Sequence, residues 1–195
     1  MDAYIAVIEK IMDSGDNTTG GGSASSIAGA MAAGLAGMVA RLSKGKVHLD
    51  TDEHYQSLAD QADALGKQLL DGSAMDSASF ANVSEAFAMP KGTEEEKAAR
   101  SRAIQDGMVR CAEVPLENAR WCGEVMALCA LLEKSYNTNA SSDLACARHL
   151  AEAGLKGCVA NVRINLPYLK DEDKIYELES AIKEIDNKIN RITKG

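Results

Sequence analysis

Three short stretches of this sequence combine residue types that could do chemistry. Gly20-Gly21-Gly22-Ser23 is the first. Its glycines let backbone amides come close to a ligand, and a helix beginning there offers unpaired N–H groups and partial positive charge to an anion or a carbonyl oxygen. The same run also reads as a flexible turn. It is not a Walker motif, because no Lys-Ser/Thr follows the last glycine, and not a dinucleotide fingerprint, because no strand precedes it. The second stretch is Met75-Asp76-Ser77-Ala78-Ser79-Phe80, where one charge interrupts a small and apolar run; a solvated helix face is the plain alternative to a proton-handling carboxylate. In the third, Asp143 follows Asn137-Thr138-Asn139-Ala140-Ser141-Ser142 in the first turn of a helix, a position the helix dipole favours for any carboxylate. Lys44 and Lys46 stand near the end of the helix that the glycines open, where cations complement the C-terminal dipole.

Other chemistry finds little support. His48 and His54 are six residues apart and His149 stands alone, so no spacing suggests a metal. Cys111, Cys122, Cys129, Cys146 and Cys158 form an odd set with no CxxC pair; they fall on helix faces and read as free thiols packed as small core residues. With a start, Met1-Asp2, unlike a basic signal peptide, this composition predicts a cytoplasmic protein.

The elements that must position these residues read as helices throughout. Only eight residues are aromatic and three are proline, and apolar positions recur at steps of three and four with almost no alternation. The pattern predicts a first helix over 2–12, turn chemistry over 14–19, and an Ala/Gly-rich helix from the glycines to about Ser43. On that helix Ser25, Gly29, Ala33 and Gly37 fall four apart, as do Ser26, Ala30 and Gly34, a row of small side chains against which another helix can approach closely. Asp52 to about Met89 reads as one long helix or two in line. Thr93 and Glu96 form a capping box for the next. Ile104, Met108, Cys111, Pro115, Ala119, Cys122, Met126 and Cys129 keep their phase straight through a proline, which predicts one kinked helix. A loop at 135–139 precedes a helix from Ala140 to about Lys156, closed by Gly157, and residues 158–170 read as a further helix cut off before Pro167. Over Asp171 to Thr193, Ile175, Leu178, Ile182, Ile185, Ile189 and Ile192 form a narrow seam suited either to the same bundle or to a dimer contact. The expected fold is therefore all-α, a single-domain antiparallel helical bundle over 1–195 with long, kinked helices.

Composition narrows the function further. The chain of 195 residues carries 26% charged and 46% hydrophobic residues with a net charge of -8, so it folds, and it has no basic excess with which to neutralise a nucleic acid or an anionic membrane. Ser23 to Ala40 is uncharged over the minimum span length, but its Ala and Gly content predicts a buried helix of a bundle rather than an inserted one.

Taken together, GGGSASSIAGAMAAGLAGMVARLSKGK (20–46), MDSASFANVSEAFAMPKGTEEEKAARSRAIQ (75–105), VPLENA (114–119), NTNASSD (137–143) and NVRINL (161–166) resemble the cyclodeaminase domain of formiminotransferase-cyclodeaminase and the stand-alone bacterial methenyltetrahydrofolate cyclohydrolases. The resemblance covers nearly the whole chain. Such proteins commonly have Pro-Thr-Pro before the glycines, where Asp16-Asn17-Thr18-Thr19 stands here. What it implies is a homodimer with ligand sites near the subunit interface, acting on a one-carbon tetrahydrofolate and needing no prosthetic group. Cyclohydrolase activity, giving 10-formyltetrahydrofolate, is the first expectation; ammonia-releasing cyclodeaminase activity and a non-catalytic folate-binding dimer are the alternatives. Under that implication Asp143 or Asp76 supplies the carboxylate that moves protons and Lys46 orients it or donates a proton. The amides of Gly20, Gly21, Gly22 and Ser23, with the side chain of Asn139, hold the ligand.

Overall fold

The computed structural model describes residues 2–16 and 18–192. Among them the chain forms six α-helices and two single 3₁₀ turns: α1 (Asp2–Met12), α2 (Gly21–Ser43), α3 (Asp52–Ala88), α4 (Glu94–Leu132), α5 (Ser141–Asn165) and α6 (Glu172–Ile192), with the 3₁₀ turns at Thr138–Ala140 and Leu166–Tyr168. Local chemistry sets most of the ends. Thr51 caps α3, its side chain accepting from His54 N at 3.2 Å, and Asp52 and Glu53 in the first turn complement the dipole. At α4 the Thr93 hydroxyl accepts from Glu96 N while the Glu96 carboxylate accepts from Thr93 N, a complete capping box. Asp52–Ala88 is one uninterrupted helix, and α4 runs through Pro115 without a break.

Helices α2 to α5 form an up-down core. Helix α2 packs against α3, α4 and α5, and α4 against α3 and α5, while α6 lies along α4 and α1 touches α2 and α3. Their largest apolar residues close a common interior: Tyr55, Leu69, Leu132, Leu155, Leu178 and Val162 are all shut off from solvent. By length and composition Gly21–Ser43 could cross a membrane, but 56% of its most apolar stretch is buried inside the bundle, the behaviour of a core helix.

The row of small side chains admits a close neighbour at Ser25 and Gly29, as its spacing predicts, whereas Gly34 is exposed with nothing within 4 Å. A side-chain carbon added at Gly154 of α5 would lie 2.7 Å from the Ser25 carbonyl oxygen and 3.0 Å from Gly29 N, both backbone atoms of α2. One at Gly157 would overlap the Ser25 hydroxyl, and one at Gly29 would collide with Cys122 Sγ. Gly157 is thus a close-approach glycine, which corrects the expectation that it closes a helix. Since nothing forces a stop there, α5 continues to Asn165, where Pro167 prevents further helical hydrogen bonding.

The isoleucine seam of α6 packs inside the same bundle. Leu178, Ile182 and Ile185 are buried, and Ile175 and Ile189 are half-buried against the core; the Ile192 side chain and Thr193 lie outside the described residues. Lys174 Nζ bonds to Glu113 Oε1 of α4 at 2.8 Å, and Arg163 of α5 to Asp186 at 2.8 Å. Four cysteines are buried, and Cys146 is exposed on α5, contrary to its assignment to the core.

Replacing Gly154 by Ala should lower the unfolding free energy by about 1–3 kcal/mol, since two backbones must separate to admit the methyl group. Gly66→Ala of α3, where the added carbon would meet its nearest neighbour at an ordinary 3.6 Å, should instead stabilise by up to about 1 kcal/mol through helix propensity. Urea denaturation of both variants checks the contrast.

Candidate functional site

Helix α2 begins without a side-chain cap, because its N-cap residue is Gly20. Its free amide end is met by a carboxylate from the neighbouring helix. Ser23 Oγ donates to Asp76 Oδ2 at 2.8 Å and also lies 3.2 Å from the Ser73 carbonyl oxygen. The Ser23 backbone amide adds a second favourable donor to Asp76. Gly22 makes this approach possible: a side-chain carbon there would sit 2.5 Å from Asp76 Oδ1 and 2.7 Å from Oδ2. The preceding turn is pinned as well. Thr18 N and Oγ1 both donate to Asp16 Oδ1, at 2.7 and 2.6 Å, and Thr19 Oγ1 pairs with Ser77 Oγ at 3.0 Å. The Asp16 carboxylate therefore holds Thr18 ahead of the glycines; Asn17 lies outside the described residues.

Asp76 opens into a cleft of about 220 Å³ between the start of α2, the middle of α3 and α4, and the end of α5. Thr18, Gly20 and Gly22 line one side, Phe80 and Cys111 another, and Asn161, Ile164 and Asn165 the third. Among the described residues of this lining, Asp76 alone carries a charge. Burial pushes its carboxyl above the usual carboxylate range, and the Ser23 hydroxyl and amide only partly oppose this. Burial, and then the charge of Asp76, push the Cys111 thiol up to about 11, so that thiol stays protonated and inert at neutral pH. The arrangement suits proton transfer. A carboxylate of raised basicity can take a proton and give it back, beside an apolar wall and side-chain amides that can orient a polar ligand.

Of the residues expected to form the site, Gly20, Gly22, Ser23 and Asp76 are brought together. Gly21 is exposed at the first position of α2. Lys46, Asn139 and Asp143 are not part of this group. They lie past the opposite end of α2, whose 23 residues span roughly 33 Å at 1.5 Å per residue. Lys46 is exposed in the loop after α2. The NTNASSD stretch caps that helix: Asn137 Nδ2 donates to the Leu42 carbonyl oxygen at 3.0 Å, and Asn137 N to Ser43 Oγ at 2.9 Å. Asn139 is exposed beside it, and Asp143 is half-buried in the first turn of α5. Within one chain, then, Lys46 does not orient Asp76, because the length of a helix separates them.

Thr18, Phe80, Cys111, Asn161, Ile164 and Asn165 are cleft residues that reading for charged groups passed over. Phe80, Asn161, Ile164 and Asn165 fall inside stretches that carry the family resemblance, and Asn161 and Asn165 share a helix face by their spacing of four. Among the described residues no group of three or more His, Cys, Asp or Glu side chains is gathered as a metal site.

The raised Asp76 pKa has a definite sign in stability. The folded chain keeps the Asp76 proton to higher pH than the unfolded chain does, so this group lowers the unfolding free energy as pH climbs from the ordinary carboxylate value through the folded one. Asp76→Asn should lack that loss. Urea midpoints at pH 3.5, 5 and 7 should show the wild type falling relative to the variant as pH rises.

Comparison with known proteins places this geometry. Residues 6–184 match the model of the formiminotransferase-cyclodeaminase family. The chain is 36% identical over 172 residues to a methenyltetrahydrofolate cyclohydrolase of Methylorubrum extorquens, covering 86% of this chain and 83% of that one. It is 32% identical over 154 residues to the mouse formimidoyltransferase-cyclodeaminase, of which the match spans 28%. The crystal structure of a formiminotetrahydrofolate cyclodeaminase from Thermotoga maritima superposes with a TM-score of 0.70 at 25% identity, over 90% of this chain and 87% of that one. A family match over residues 6–184, with a relative 36% identical over most of both chains, makes this chain a member of the formiminotransferase-cyclodeaminase family.

Proposed function

We propose that this protein is a methenyltetrahydrofolate cyclohydrolase, hydrolysing 5,10-methenyltetrahydrofolate to 10-formyltetrahydrofolate with Asp76 as its general base. The observation that carries the reading is a lone carboxylate of raised pKa in the cleft, held by Ser23 over the uncapped start of α2. The substrate is a cation, and its charge sits on the carbon between nitrogens 5 and 10. An anionic side chain beside that carbon attracts it and takes a proton from the attacking water. The tetrahedral adduct then collapses: its hydroxyl becomes the formyl carbonyl, the bond to nitrogen 5 breaks, and nitrogen 5 takes up the hydroxyl proton. A carboxyl whose pKa burial has raised holds the intervening proton more readily than an ordinary aspartate would. No prosthetic group takes part in this scheme.

The named activity of the Methylorubrum relative supports this reaction. The names of the Thermotoga and mouse proteins support a second one: nitrogen 10 attacks a formimino carbon on nitrogen 5 and ammonia leaves, through a carbon likewise holding three heteroatoms. The reading extends to a cytoplasmic setting, which suits five unpaired cysteines.

The proposal includes a homodimer. Helix α2 exposes Met31, Gly34, Met38 and Leu42 along one line of its surface. A second copy docked antiparallel on that line would carry its Lys46, Asn139 and Asp143 to the cleft of the first, which is how those residues would join Asp76.

Asp76→Asn should lower turnover by on the order of a hundredfold, the loss expected for an acid–base group. Loss of the near-ultraviolet band of the methenyl bridge measures it, and ammonia release from formiminotetrahydrofolate decides between the two reactions. Asp143→Asn should be similarly impaired. Mixing the Asp76→Asn and Asp143→Asn variants should restore activity, because a mixed dimer contains one site with both carboxylates; no recovery after verified subunit exchange rules out the shared site.

A further inference from the structure

Pro115 is buried in the interior of α4. Lacking an N–H, it deprives the Cys111 carbonyl, four residues earlier, of its ordinary helical donor. A side chain from α5 supplies the missing bond. Asn165 Nδ2 donates to the Cys111 carbonyl oxygen at 2.8 Å and to the Asn161 carbonyl oxygen at 2.9 Å. A primary amide has two N–H donors and one carbonyl acceptor, so both donors of Asn165 are committed to backbone oxygens. Turning the amide over would press its oxygen against those two carbonyls, and the hydrogen-bond network thereby selects one orientation. What Asn165 has left to offer is Oδ1, an acceptor, and Asn165 lines the same cleft as Asp76.

We propose that Asn165 Oδ1 is a fixed acceptor that reads an N–H of the reduced pterin ring, and that Pro115 is the positioning residue that holds it in that orientation. The assignment rests on the folate reading given above. A pterin presents an edge of ring and exocyclic N–H donors, and a fixed acceptor discriminates it from rings that present acceptors there. The proline acts by withholding α4's own donor from Cys111, so that the carbonyl remains available to orient the asparagine. Alanine at 115 would return that donor, close the Cys111 carbonyl inside α4, and leave the Asn165 amide free to turn.

The test uses Pro115→Ala, Asn165→Ala and the double variant. Three quantities are read: Tm, the Kd of 5-formyltetrahydrofolate by calorimetry, and KM and kcat in the methenyl absorbance assay. Pro115→Ala should keep or raise Tm, since alanine is the better helix residue. Its Kd and KM should rise roughly three- to tenfold, the value of one hydrogen bond, with kcat falling far less. Asn165→Ala should weaken binding at least as much, and the double variant no more than Asn165→Ala alone, because the proline acts through the asparagine. The proposal is overturned if Pro115→Ala binds as tightly as wild type, or if the two single losses multiply in the double variant. Wild-type protein that binds 5-formyltetrahydrofolate but turns over neither folate substrate would refute the assigned reaction, while the Kd series still decides the role of Asn165. Wild-type protein that does not bind it would refute both.

Discussion

The contact on which the rest depends is the meeting of two helix backbones without side chains between them. Gly154 and Gly157 of α5 lie against Ser25 and Gly29 of α2 so closely that a single added carbon would strike backbone or hydroxyl. Helices normally pack 8–10 Å apart, at a distance set by the side chains at the contact. Removing those side chains draws the C-terminal half of α5 in beside the first turns of α2. That places Asn161 and Asn165 opposite Gly20 and Gly22, so the cleft exists because of this packing. The row of small residues serves the site indirectly, by fixing the gap that the ligand must fill.

The second constraint is electrostatic. The uncapped start of α2 has amides in need of an acceptor, and Asp76 of α3 provides one while Ser23 shares its hydroxyl with it. This interaction favours the charged carboxylate, but burial among Gly22, Phe80 and Cys111 disfavours it more strongly, and the net shift is upward. The glycines at the helix start thus act differently from a ligand-binding loop. Gly22 makes room for the carboxylate, and the Ser23 amide that a ligand could have used is turned toward Asp76.

The helix-breaking residues divide along similar lines. Pro167 ends α5, as proline usually does. Pro115 ends nothing: buried packing on both sides keeps α4 continuous, and the carbonyl it orphans is taken up by Asn165. Gly157 likewise interrupts no helix, because the close approach of α2 rewards the absence of a side chain more than helix propensity penalises it.

The all-helical bundle, the Thr93–Glu96 capping box, the unbroken phase through Pro115 and the small-residue row of α2 were all legible in the sequence. Each depends on neighbours within one or two turns, and periodicity and capping chemistry record such neighbours directly. Family membership was legible as well, since five separated stretches occur in the right order. The pairing of Gly22 and Ser23 with Asp76, the arrival of Asn161 and Asn165 from a helix more than eighty residues later in the chain, and the separation of Asp143, Asn139 and Lys46 to the far end of α2 were decided only by tertiary structure. A sequence shows which side chains can move protons or accept hydrogen bonds. Which of them share one cleft depends on how far apart, and in which direction, rigid helices run, and a helix of 23 residues is long enough to keep two chemically similar carboxylates near its opposite ends.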